Sequence, residues 1–298
     1  MSKNLLQRII VALIGIPLIL WICRESGYWL QGFLLLVTAL GSYEYFRVVF
    51  RQRTVSGMRN PLALLSWALS LVIVYISLFV GIEESLVALA LALLLLGMLQ
   101  ALGKEEPRVL FAELCESCWG LFYVSALYPF IYHVREFPAG AGFSGALSEG
   151  IENALNKVSG STTEIGFDWL VTLLAVIWIS DTAAMWVGKL LGKRKLAPSV
   201  SPNKTVAGFV GGLVSACLIG FGAKAALFPH ESVMLVIGAA LIVSLVGQLG
   251  DLVESLWKRS VGVKDSSAII PGHGGVLDRF DSLAFAAPAL YLYLLWLS

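Results

Sequence analysis

"SVMLVIGAALIVSLVGQLG", residues 232–250, holds no charged side chain at any position. Wound as an α-helix it reaches about 28 Å, close to the hydrocarbon thickness of a bilayer. The next residues, "DLVESLWKRS" (251–260), bring two acids, a lysine and an arginine together. An apolar run of that length, closed by charge, reads as a membrane helix meeting water.

The rest of the chain repeats the pattern. Of 298 residues, 58% are hydrophobic and 14% charged, and the mean hydropathy is +0.82, outside the range of soluble domains. Nine apolar segments are expected, near 9–23, 27–43, 61–82, 85–103, 115–132, 169–187, 205–227, 232–250 and 283–298. The first and last are short for a span, so their flanks complete it. The first run lacks a small-residue cleavage site and reads as a spanning helix rather than a removed leader. The expected architecture is all-α: a polytopic membrane protein of about nine helices in a single domain, 1–298. Residues 1–168 supply N-terminal helices and an outer loop, and 169–298 the helices that carry the motif loops.

Placing the N-terminus in the cytosol satisfies the positive-inside rule. Of 21 lysines and arginines, only Arg24, Arg135, Lys157 and Lys224 then fall outside. The outer loop at about 133–168 is acidic and rich in Gly and Ser, a solvated connector. The motif-bearing regions 181–205 and 251–281 both face the cytosol, where nucleotides are found.

If the helix of residues 232–250 continues, Asp251, Glu254, Ser255 and Lys258 share one face. A carboxylate at the end of an apolar run must be paired, wetted or metal-bound. A salt bridge from Asp251 or Glu254 to Lys258 is the structural alternative. Beyond Arg259 come Lys264 and Asp265, then "PGHGGVLDRFDS" (271–282) with His273, Gly274, Gly275, Asp278, Arg279 and Asp281. Glycines let backbone N–H groups approach an oxyanion. Lysine and arginine neutralise phosphate. Aspartates offer hard oxygen ligands to Mg²⁺. Together these are the parts for handling a nucleoside triphosphate with a divalent metal.

Upstream, Asp181 lies inside an apolar segment, a site candidate or a partner for a lysine. Ser201-Pro202-Asn203-Lys204-Thr205 precedes a helix and suits capping or anion binding. Its glycosylation pattern fails on the cytosolic side. Gly208 and Gly212 suit close helix packing. Cys115 and Cys118 have no second ligand pair and read as helix residues. His133 and His230 receive no role.

The stretch "SLWKRSVGVKDSSAIIPGHGGVLDRFD", Ser255 to Asp281, resembles the signature of the phosphatidate cytidylyltransferase family of bacterial type. The likeness extends upstream to "SDTAAMWVGKLLGKRKLAPSVSPNKTVAGFVGG" (180–212) and departs from the pattern at Trp257 and Ser267. The resemblance implies transfer of CMP from CTP to phosphatidic acid, giving CDP-diacylglycerol and pyrophosphate with Mg²⁺, and leaves a second cation open. It implies a homodimer in the bacterial cytoplasmic (inner) membrane, its active site facing the cytosol, with no nucleic-acid partner. On this basis Asp251 and Asp278, then Asp281 and Asp181, are expected as metal ligands. Lys258, Arg259, Lys264 and Arg279 are expected on phosphates, and His273, Gly274 and Gly275 on the triphosphate. Ser201, Lys204 and Ser255 complete the substrate contacts, with the lipid entering sideways from the bilayer. The attacking phosphate monoester is already anionic, so no strong base is required. A transporter should hold its acids near the midplane. The motif of the CDP-alcohol phosphotransferases is absent.

Overall fold

A computed structural model describes residues 3–53, 57–137, 162–270 and 274–297. It is almost wholly helical, with one two-stranded sheet. The helices are α1 (Lys3–Glu25), α2 (Gly27–Arg53), α3 (Pro61–Phe79), α4 (Ile82–Ala101), α5 (Pro107–Gly120), α6 (Phe130–Arg135), α7 (Thr162–Leu191), α8 (Val206–Ala226), α9 (Val233–Ser260) and α10 (Leu277–Leu297). Among the described residues, eight helices are long and apolar enough to cross a membrane, taking Pro107–Arg135 as one. The all-α polytopic fold is thus the observed one. Most of the outer loop, residues 138–161, lies outside the described residues.

The chain divides into two compact units, Met1–Pro129 with Lys258–Phe280 and Phe130–Trp257 with Asp281–Ser298. In the first, α2 packs on α3 and α3 on α4. Ile73, Ala92, Leu96 and Leu121 form a buried cluster there, and Tyr45, Phe46 and Phe50 are wholly buried. Hydrogen bonds cross between helices at Gln31 Nε2 to the Leu78 carbonyl, 2.8 Å, and Trp67 Nε1 to the Ala39 carbonyl, 3.0 Å. Such bonds satisfy polar groups where no water is at hand. Cys115 and Cys118 are free thiols on α5.

In the second unit α7 lies along α8. Small residues set the spacing: a Cβ on Gly208 would stand 2.6 Å from the Ala184 carbonyl oxygen, and one on Gly212 would stand 2.7 Å from Gln248 Nε2. The expected packing role of Gly208 and Gly212 is what the structure shows. Between the helices the chain forms an antiparallel hairpin, β1 (Lys195–Ala197) and β2 (Ser201–Thr205). Thr205 ends β2 in an extended conformation and caps α8, its Oγ1 accepting from Gly208 N at 3.1 Å. Thr205→Ala is expected to cost about 1 kcal/mol, read as an earlier thermal unfolding midpoint in detergent.

Two helices extend beyond their apolar runs, and both extensions carry site residues. Helix α9 continues past its apolar run to Ser260, the continuation that places Asp251, Glu254, Ser255 and Lys258 along one face. Helix α10 begins at Leu277, so Asp278 stands in its first turn.

Candidate functional site

The first constellation starts where α9 stops. Gly262 adopts a positive φ of 68°. The Gly262 amide donates to the Arg259 carbonyl at 3.1 Å and the Val263 amide to the Lys258 carbonyl at 2.9 Å. This is the two-bond closure that a left-handed glycine allows just past a helix end. Arg259, exposed, folds back and donates through Nη1 to the Val263 carbonyl at 3.0 Å. The sequence Lys258-Arg259-Ser260-Val261-Gly262-Val263 therefore stops the helix and turns the chain toward the signature loop.

That loop is held by two buried carboxylates. Asp278, 7% exposed, accepts at Oδ1 from Lys258 Nζ at 2.7 Å. Its Oδ2 accepts from Ser266 N at 3.1 Å and Gly275 N at 2.8 Å. Glu44 of α2 is fully buried. Its Oε1 accepts from Ser267 Oγ at 2.5 Å and Val276 N at 3.0 Å, and its Oε2 from Leu277 N at 3.0 Å. Ser266 Oγ lies 3.0 Å from Glu44 Oε2 and 3.1 Å from Asp278 Oδ2, and its one proton serves one of them at a time. A buried carboxylate is costly unless compensated; here N–H and O–H donors surround both, and the start of α10 adds the favourable end of its dipole.

Gly274 and Gly275 of the loop each have a geometric reason. Gly274 adopts φ 88°, and a Cβ there would stand 2.8 Å from Asp278 Oδ2. A Cβ on Gly275 would fall 1.9 Å from Ser266 Oγ and 2.6 Å from Glu44 Oε2. The Gly275 amide, expected to face a phosphate, is given to Asp278 instead. Lys258, 9% exposed, is likewise paired within the protein. Asp278, expected as a metal ligand, has both oxygens engaged by protein donors. In this structure these three residues build the loop rather than face solvent. His273 lies outside the described residues. Lys264, Asp265 and Arg279 are exposed.

The second constellation belongs to the other unit. Lys204 of β2 reaches Asp251 of α9, Nζ to Oδ2 at 2.5 Å. Ser255, one turn on, donates from Oγ to Asp251 Oδ1 at 3.3 Å. Both members of the ion pair keep 28% of their side-chain surface, so this carboxylate remains open to solvent. Ser201 is half-buried at the start of β2. Asp281 Oδ1 accepts from the Ser282 amide at 2.6 Å. Asp181 is exposed on α7.

Among the described residues no group of three or more His, Cys, Asp or Glu side chains is placed to hold a metal. A Mg²⁺ site needs fewer when phosphate oxygens and water complete the shell. By that measure Asp251, partly exposed with a lysine and a hydroxyl as its partners, fits such an ion. Asp278, filled by protein donors, does not.

Glu44 was not among the candidates. An acid closing an apolar run was a legible signal, the same one that singled out Asp251. Ser266 and Ser267 carried no signal of their own; Ser267, a departure from the family pattern, donates its hydroxyl to Glu44.

A model of the cytidylyltransferase family matches residues 6–297. The chain is also similar to phosphatidate cytidylyltransferases of staphylococci. It is 46% identical over 134 residues to the protein of Staphylococcus aureus strain COL, and 43% identical to that of Staphylococcus epidermidis strain ATCC 12228. It is 46% identical to that of Staphylococcus saprophyticus. Each match takes in 45% of this chain, and the chain spans only about half of each relative's length, 52%.

Proposed function

The chain belongs to the cytidylyltransferase family, and from that premise we propose that it transfers CMP from CTP to phosphatidic acid, releasing pyrophosphate and forming CDP-diacylglycerol. The observation that carries the reading is the signature loop itself. Among its described residues, Lys258, Ser266, Gly275 and Asp278 join in one hydrogen-bonded element, and Glu44 holds Ser267, Val276 and Leu277 beside it. The names of the staphylococcal relatives support the choice of lipid acceptor.

In the reaction an oxygen of the lipid phosphate attacks the α-phosphorus of CTP, and the bond from that phosphorus to the pyrophosphate oxygen breaks. The nucleophile is already an anion, so the protein's work is to bring two polyanions together and stabilise the leaving pyrophosphate. Exposed cations meet that need. Lys264, Arg259 and Arg279 stand around the signature loop, and Lys204 exchanges its Asp251 partner for a phosphate. A bound Mg²⁺ would neutralise phosphate oxygens, and Asp251 is the residue to hold it. Ser255 orients the Asp251 carboxylate, and Ser201 lines the same hairpin. The reading includes a homodimer in the cytoplasmic membrane, the N-terminus and both constellations facing the cytosol.

Incubation of the purified protein with labelled CTP, phosphatidic acid and Mg²⁺ tests the activity; labelled lipid is the expected product, and its absence overturns the reading. Asp251→Asn is expected to lower turnover by about 10²-fold or more. Its thermal stability should stay close to the parent's, because a partly exposed ion pair contributes only about 0–1 kcal/mol. Full activity in that variant removes Asp251 from the site.

A further inference from the structure

Helices α7 and α8 border a groove of about 790 Å³ in the second unit. Its walls are apolar: Val187 on α7 and Val210, Val214 and Leu218 on α8. The three α8 residues follow at helical spacing and are more than half exposed, a stripe that a soluble protein would cover. The only ionisable residues in the lining are Lys193 and Arg194. Both are exposed, and among the described residues neither has an acidic partner.

The cations sit at one end. The Val206 amide, the first of α8, donates to the Arg194 carbonyl at 3.0 Å, which fixes the pair beside the start of that helix. From Val206 to Leu218 the wall runs about 18 Å, close to the roughly 15 Å of one leaflet's hydrocarbon. A groove one leaflet deep, oily along its length and doubly positive at one rim, matches a lipid with an anionic phosphate head. The volume falls within the range of about 300–1,000 Å³ found for ligand pockets.

We propose that this groove is the acyl-chain site of the lipid substrate, with Lys193 and Arg194 holding its phosphate monoester. The proposal rests on the cytidylyltransferase reading for the identity of the lipid. A phosphate monoester carries up to two negative charges near neutral pH, matching two cations, and arginine grips it by a fork of two N–H donors. A zwitterionic headgroup offers no net charge to the pair. Directly after Lys193 and Arg194 the chain enters the hairpin whose second strand carries Lys204 to Asp251 of α9, so one hairpin links the headgroup cations to the partner of the open carboxylate.

The test uses a diazirine-tailed phosphatidic acid and a matching phosphatidylcholine in nanodiscs, without CTP, with crosslinks mapped by peptide mass spectrometry. The phosphatidic acid probe is expected to label α8 around Val210–Leu218. Excess unlabelled phosphatidic acid should compete that label, and excess phosphatidylcholine should not. In Lys193→Gln/Arg194→Gln the label should fall roughly tenfold. In turnover assays the half-saturating mole fraction of phosphatidic acid should rise by a similar factor while the KM for CTP stays put. Equal labelling by both probes means ordinary boundary lipid and overturns the proposal, as do labelling that ignores the double variant and protein–protein crosslinks at Val214. Selective labelling without any CTP turnover keeps the groove and sinks the reaction. Turnover with unselective labelling does the reverse.

Discussion

Asp278→Asn is expected to lose CTP-dependent turnover and thermal stability together. The carboxylate pairs with buried Lys258 at 2.7 Å and accepts from the amides of Ser266 and Gly275. Asparagine keeps the size but only one acceptor oxygen, and turns an NH₂ group toward donors. Breaking a buried pair by removing one partner costs about 3–5 kcal/mol, because the other charge is left uncompensated. The unfolding midpoint of the purified protein should therefore drop by several degrees, and proteolysis at residues 261–276 should quicken. The double variant Lys258→Met/Asp278→Asn should recover part of the midpoint, since the stranded ammonium is gone, yet stay inactive. A metal ligand behaves otherwise: the single variant would keep its midpoint and change only its Mg²⁺ dependence. An undisturbed midpoint would thus return Asp278 to the metal.

The difference between these two roles was not visible in residue types. Arginine, aspartate, histidine and glycine in "PGHGGVLDRFDS" are equally the parts of a phosphate cradle and of a self-bonded loop. What separates the roles is where the donors point, and that depends on a helix far away in sequence. Ser266 and Glu44 stand 222 positions apart. Hydropathy located the apolar runs because each helix must satisfy its own backbone in lipid. Apolar runs alone do not fix the ends of α9 and α10, because both helices extend through charged residues. Asp278 belongs to a first turn, where a carboxylate is favourable, and α9 carries its charged face unbroken to a glycine stop. The hairpin at 195–205 went unread, since five polar positions ahead of a helix also suit a cap. Thr205 does both, ending a strand and capping α8. Lys204 and Asp251 lay in separate motifs, and the structure joins them.

Glu44→Ala should be the most damaging substitution outside the signature itself. It removes the acceptor for the Val276 and Leu277 amides and for the Ser267 hydroxyl in one step. Each donor left unpaired in a buried place costs about 1–3 kcal/mol, and the losses fall on one loop. Turnover is expected to drop by about 10²-fold or more, the scale on which small misplacements act in a site built on orientation. Glu44→Gln separates shape from charge. It fills the same space, but one of its two ends now presents a donor to donors, so roughly half of the anchoring is lost and an intermediate activity is expected. Hydrogen exchange supplies the decisive readout. In the parent protein the Gly275, Val276 and Leu277 amides are each bonded to a carboxylate and should exchange slowly. In Glu44→Ala the amides of Val276 and Leu277 should exchange far faster, while those in the middle of α3 and α4 keep their protection. Uniform loss of protection would mean that Glu44 merely holds the first unit together. Unchanged protection with full activity would mean that the loop stands without it.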